Sequence, residues 1–336
     1  MDSYLPKALI YREWKEQRSW LIGGTVLILG ELWLRLVALG MQLVSGSGLP
    51  DIRQAAWAGL WSYVSNSVGQ LSSEGTTGAV AVLAMMAVAT RQVARERAQG
   101  DLLGVLMGPV KRADLLRVKF VVGCGWILCT LMLLLFLLAI LNLTAPNPVS
   151  AGQMAAFACD KFSLWVAFYG LAFMVSCAVA GAVPAFLLTA LLADMPVWLP
   201  GLVALVIPPE MTHATWPDAV ARLSPWTWLS AAVPIPWLVV PWLLFLAWLG
   251  YFVGQRAFAR MLAEDFDALL GLPALWRLVI PVVSVLLGLV VATATSARTG
   301  RWGLVPVVFV VCVALLWAGL YAARRNLQRG AGGRRG

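Results

Sequence analysis

Residues 95–120 read RERAQGDLLGVLMGPVKRADLLRVKF, and nine of these 26 positions are charged in a chain where 12% of residues are. Three more charges stand inside apolar runs: Glu31 and Arg35, four apart, and Asp194 in LLADMPVWLPG. A charge at the centre of an apolar span costs roughly 2.5–3.5 kcal/mol, so each of these needs a physical reason. Glu31 and Arg35 can pair along one helix face, either as a structural ion pair or as an ion or proton site. Asp194 precedes Pro196 and Pro200, which should kink its helix and free carbonyls nearby. It is expected to face a translocation path or a dimer interface, as a structural acceptor or as a partner for a cationic group. Asp160 and Lys161 are expected at a membrane interface.

Catalytic chemistry finds little to work with. The single histidine, His213, excludes a HExxH helix and any site with two histidines, and there is no GxxxxGK[ST] phosphate loop. The five cysteines are scattered without CxxC spacing, so neither a zinc site nor a disulfide framework is implied. The chain is not expected to be an enzyme or to bind a cofactor or metal of its own.

The elements that position these residues follow from composition. Apolar residues make up 61% of the 336 positions, and the mean hydropathy is +0.82. Several runs approach the ~20 residues that cross a ~30 Å hydrocarbon core. They lack period-2 alternation, so the fold class is an all-α polytopic membrane protein. Eight spans are expected, near 20–44, 73–94, 118–141, 161–182, 184–207, 234–254, 275–296 and 303–323. The second has a short apolar part, Thr76 to Thr90, and its helix should continue beyond the bilayer. With the N-terminus inside, 19 basic residues fall on the inner side and 5 on the outer. The net charge of +9 therefore reflects the positive-inside rule and not nucleic-acid binding, and both termini should be cytoplasmic. The first twenty residues carry charge where the apolar region of a signal peptide would begin, so none is expected.

A single transmembrane domain over 1–336 is expected, with short segments outside the bilayer. Residues 1–19 should form an interfacial helix, with Ile10, Tyr11 and Trp14 near one face and Arg12, Glu13, Lys15 and Glu16 mostly away from it. Leu5 and Leu9 fall on the charged side and spoil the pattern. Residues 209–232 should lie at the outer surface, with Trp216, Trp226 and Trp228 at headgroup level. The tail over 324–336 is basic and suits anionic lipid.

In the 95–119 loop, Gly100 should break the helix leaving the second span. Asp101 then suits a helix N-terminus, and Pro109 should end that short helix. Between them Leu102, Leu103, Val105, Leu106 and Met107 stand outside the bilayer. Apolar side chains left in water forfeit roughly 1.5–3 kcal/mol each relative to burial, which a partner surface would recover. The stretch resembles the loop between the second and third spans of type-two ABC exporter permeases. Glu96, Arg97, Gly100, Leu103, Leu106, Pro109, Arg112 and Lys119 occupy that family's positions. The N-terminal segment resembles the family's elbow helix, and RLSPWTWL (222–229) its Ser-Pro segment before the sixth span. The likeness covers about 255 residues and departs at Asp101, where the family often has Thr, and in the two extra spans over 275–323.

The resemblance implies a coupling helix over this loop, docked on a separate ATP-binding subunit that carries the ATP and Mg. It implies a pair of permease chains, identical or not, in a prokaryotic cytoplasmic membrane. The cargo stays open among an amphipathic antibiotic or peptide, a lipid and an ion. The rival from another class is a secondary transporter or channel working through Asp194 and Glu31/Arg35. The absence of internal repeats weighs against it.

Overall fold

The computed structural model describes residues 7–45, 76–99, 111–143, 150–206, 222–230 and 237–260, with a few single positions between 310 and 318. Every element among the described residues is helical. The chain divides into two compact units, and residues 1–198 with 217–271 form the one that carries the features below.

Helix α1 runs Lys7–Ser45 without interruption. The separate interfacial helix expected over 1–19 is therefore the first part of one long element. At 1.5 Å per residue its 39 residues reach about 58 Å, so its first turns project beyond a ~30 Å core. The facing of those turns also differs from expectation. Tyr11 and Trp14 are exposed, whereas Leu9, Glu13, Gln17 and Leu21 form a buried stripe at four-residue spacing. Leu9 sits on the charged side because that side is the one that packs.

Helix α2, Thr76–Thr90, continues through a π-helical turn, Arg91–Arg95, into α3, Glu96–Gln99. The second span thus extends beyond its apolar part, as its short length demanded. Helix α4 spans Arg112–Leu143. Helix α5, Ala151–Ala178, starts at a capping box in which Ser150 Oγ accepts the Gln153 N–H and the Gln153 side chain accepts the Ser150 N–H. A tight turn with Gly181 at φ 96° leads into α6, Ala182–Val206, which continues through Pro196 and Pro200. Helix α7 is the short Pro225–Ser230, and α8 is Val239–Ala259.

Six of the eight expected spans fall on these helices. By length and composition, the segments Arg112–Ile140, Ala151–Ala178 and Val239–Ala259 are long and apolar enough to cross a membrane, so the chain is membrane-embedded. Within unit one α5 is the central post, with 78% of its apolar window buried against 33% for α4 and 22% for α8. Its contact with α8 is a small-residue crossing. A Cβ on Gly170 would lie 2.6 Å from Ala247 Cα, one on Gly250 would strike the Gly170 carbonyl, and one on Gly254 would lie 3.2 Å from Met174 Cα. Small residues let two backbones approach this closely where no hydrophobic effect drives helices together.

Two residues expected near a membrane interface are covered by protein. Trp228 is buried, its indole donating to the Arg222 carbonyl at 2.8 Å, and Ser224 Oγ donates to the Ala193 carbonyl at 2.6 Å. The Ser-Pro segment thus packs onto α6. Lys161 is also buried, with Nζ 5.5 Å from the Phe157 ring centre. The loop over 100–110, most of the 209–232 segment, nearly all of the final two spans and the basic tail lie outside the described residues, as do the side chains of Glu31 and Arg35.

Candidate functional site

Glu96 and Arg97 stand at the entrance to the 95–119 loop, and Lys119 lies two turns after its exit, in α4. The structure brings all three into one buried polar network. Lys119 Nζ lies 2.6 Å from Glu13 Oε2 and 2.9 and 2.8 Å from the two Glu96 carboxylate oxygens. Gln17 Nε2 donates to Glu96 Oε1 at 2.7 Å. Lys119 is 1% exposed, and Glu13 and Gln17 are each 3% exposed. An ammonium has three protons and no acceptor, and here the α1 and α3 carboxylates take them. Glu13, Glu16 and Glu96 bring carboxylate oxygens within 4.8 Å of one another, and Lys119 is the cation that holds two of them there.

Arg97 is fully buried and donates to the Cys177 carbonyl at 3.2 Å, in the last turn of α5. Helix C-termini leave carbonyls without intrahelical partners and carry partial negative charge, so a guanidinium is well matched there. The π-turn prepares this. Its wider winding frees a carbonyl, and the Ala94 carbonyl accepts the Gly181 N–H at 3.1 Å. Gln92, on the same turn, accepts from the Tyr169 hydroxyl at 2.6 Å, and that hydroxyl also approaches the Lys119 carbonyl at 3.2 Å. Gly123 leaves the space that Tyr169 Oη fills. The Arg91 guanidinium lies 4.3 Å over the Trp20 ring, adding an α1 contact. Loop entry, loop exit, α1 and the end of α5 are therefore joined by charge-assisted hydrogen bonds in a site shielded from water.

Of the other sequence-based candidates, Arg112 is half-buried at the start of α4 and Asp194 is half-buried in α6. Neither belongs to the network. Gly100, Asp101, Leu102, Leu103, Leu106 and Pro109 lie outside the described residues. Glu13, Gln17, Gln92 and Tyr169 were not singled out from sequence as site residues. The signal available for the first two was the spacing of Leu9, Glu13 and Gln17, which puts them on one face.

No family model matches the chain. No curated protein matches it either. The role of the network is argued from its own chemistry. An ammonium shared by two carboxylates and backed by an amide fixes the relative position of three helices. It offers no activated nucleophile.

Around Lys119 two carboxylates, Glu13 and Glu96, share one ammonium. Burial pushes the Glu13 carboxyl from an ordinary 4.5 up to about 7; the Lys119 ammonium opposes the rise and Glu96 adds to it. The folded-state value is above the unfolded one. Between those two values the native state holds a proton that the unfolded chain has lost, so stability falls as pH rises through that window and levels off above it. Glu13→Gln should flatten this dependence. Unfolding temperatures of both chains in detergent between about pH 5 and pH 8 check it. Parallel profiles would mean that Glu13 does not titrate in this range.

Proposed function

We propose that the chain is the membrane-spanning subunit of an ATP-driven ABC exporter, docked through its 95–119 loop on a separate ATP-binding subunit. The observation that carries the proposal is the buried network just described. Glu96, Arg97 and Lys119 bracket an apolar, leucine-rich loop, and all three are locked into the helix bundle. A loop held rigidly at both ends by charge-assisted bonds is suited to passing a push from a docked partner into the spans. A plain surface loop has no use for burying two cations and a carboxylate at its roots, since isolated buried charges cost several kcal/mol each. ATP and Mg belong to the partner in this reading, which the lack of a GxxxxGK[ST] loop in the sequence supports. A second permease chain, a prokaryotic cytoplasmic membrane and cytoplasmic termini belong to the same proposal. The 19-to-5 division of basic residues supports the orientation.

Docking should rest on apolar anchors, because desolvated anchors dominate interface energy and rim charges contribute little. Leu106→Asp should abolish co-purification with the ATP-binding subunit, whereas Lys111→Gln should leave most of it. Equal retention of the partner by both variants would contradict docking through this loop.

A further inference from the structure

Helices α1 and α4 leave a groove between them on the outside of the bundle. Its volume is about 430 Å³, within the ~300–1,000 Å³ of small-molecule sites. It extends from Ile10 and Trp14 to Val26 on α1 and from Val122 to Leu133 on α4. At 1.5 Å per residue the α4 wall is about 17 Å long, close to one leaflet of a ~30 Å hydrocarbon core.

The polar atoms in its wall are already satisfied by one another. Trp126 Nε1 donates to the Leu21 carbonyl and to Thr25 Oγ1, both at 2.9 Å. Thr25 Oγ1 donates to the Leu21 carbonyl at 2.9 Å and lies 3.0 Å from Thr130 Oγ1. A guest in the groove therefore meets hydrocarbon and hydroxyls that are already engaged. That selects a chain of methylenes over a polar solute. The charge at the mouth selects the rest of the guest. On a helix of 3.6 residues per turn, Lys7 and Arg18 fall on the same face as Ile10, Trp14 and Thr25. Among the described residues neither is in an ion pair, whereas Arg12 and Glu16, on the other side of α1, pair at 2.7 Å.

We infer that this groove is a binding site for an anionic phospholipid of the bilayer, with one acyl chain lying between α1 and α4 and the phosphate held by Arg18, while Lys7, about three turns nearer the helix start, adds positive charge on the same face. The inference goes beyond the proposed function and needs only that the chain is embedded in a membrane. A phospholipid seated there would lie along α1 beside the Glu13–Lys119 network. Its headgroup would touch the helix that anchors the loop.

The test uses the full chain in vesicles containing phosphatidylglycerol with a photoreactive diazirine on one acyl chain. Adducts are mapped by mass spectrometry of peptides. Adducts on the segment from Gly125 to Leu133 should exceed those on the equally exposed face of α8 around Phe245 and Trp248 by about tenfold, corresponding to ~1.4 kcal/mol of preference. Gly125→Phe should remove the excess while the chain stays folded, because nothing lies within 4 Å of a Cβ built there. Arg18→Gln should remove the preference for phosphatidylglycerol over phosphatidylcholine. Equal adducts on both faces, with or without the Gly125 change, would mean unselective boundary lipid and overturn the site. A disulfide between Cys129 of two copies, formed in the same vesicles, would mean that a second copy of the chain covers the groove and would overturn it equally.

Discussion

Lys119→Met should destabilise the folded chain by about 3–5 kcal/mol, the cost of stranding a buried charge by removing its partner. Two carboxylates depend on this one ammonium, and Glu13 is only 3% exposed. Methionine keeps most of the volume and helix propensity of lysine, so the loss reads the charge and not a cavity. Replacing the whole set, Lys119→Met with Glu13→Gln and Glu96→Gln, should recover much of the loss, because no buried charge is then left alone. Thermal unfolding in detergent gives both numbers. A single Lys119 variant as stable as the wild type would mean that the ion network does not hold the loop's roots, and the proposed function would lose its support.

Gly250→Leu should prevent α5 and α8 from packing and leave little folded protein. A Cβ at residue 250 strikes the Gly170 carbonyl, and the Gly170 position is closed from the other side by the Ala247 backbone. Overpacking a core usually costs about 1–3 kcal/mol, because side chains can shift. Here the obstacle is backbone on both helices, so relief requires moving whole helices. The consequence should fall among the exceptional losses above about 4–5 kcal/mol. Gly23→Leu on α1 is the matched control. Nothing lies within 4 Å of its Cβ, and losing a helical glycine gains up to about 1 kcal/mol of propensity. Size-exclusion profiles should show aggregation for the first and a wild-type peak for the second. A monodisperse Gly250→Leu chain would refute the close crossing.

The residues that were legible in the sequence are those whose placement depends on local pattern alone. Apolar length marks the helices: six expected spans fall on observed ones because a run of some twenty apolar residues has one low-energy form in a membrane. The shortness of Thr76 to Thr90 gave the continuation of its helix past the apolar segment, and the density of charge in 95–120 gave the location of the site. Glu96, Arg97 and Lys119 were singled out by the resemblance of this loop to that of the exporter permeases.

Tertiary structure decided what those charges do. Glu13 looked like part of a solvated face, because a helical wheel shows which residues share a side and not which side is covered. The packing of α1 on the π-turn and α4 reversed that assignment and turned Glu13 and Gln17 inward toward a lysine more than a hundred positions away. Trp228 and Lys161 are covered by protein, and Ser224 ties the segment that carries Trp228 to Ala193 of α6, 31 positions earlier. Gln92 and Tyr169 carry no sequence signal, since an amide and a phenol in apolar runs are ordinary until a helix crossing sets them 2.6 Å apart. Sequence gives the periodicity of each helix and the sum of its charges. The neighbour that each face meets is fixed only when the helices pack, because that choice is made by long-range contacts that no local pattern encodes.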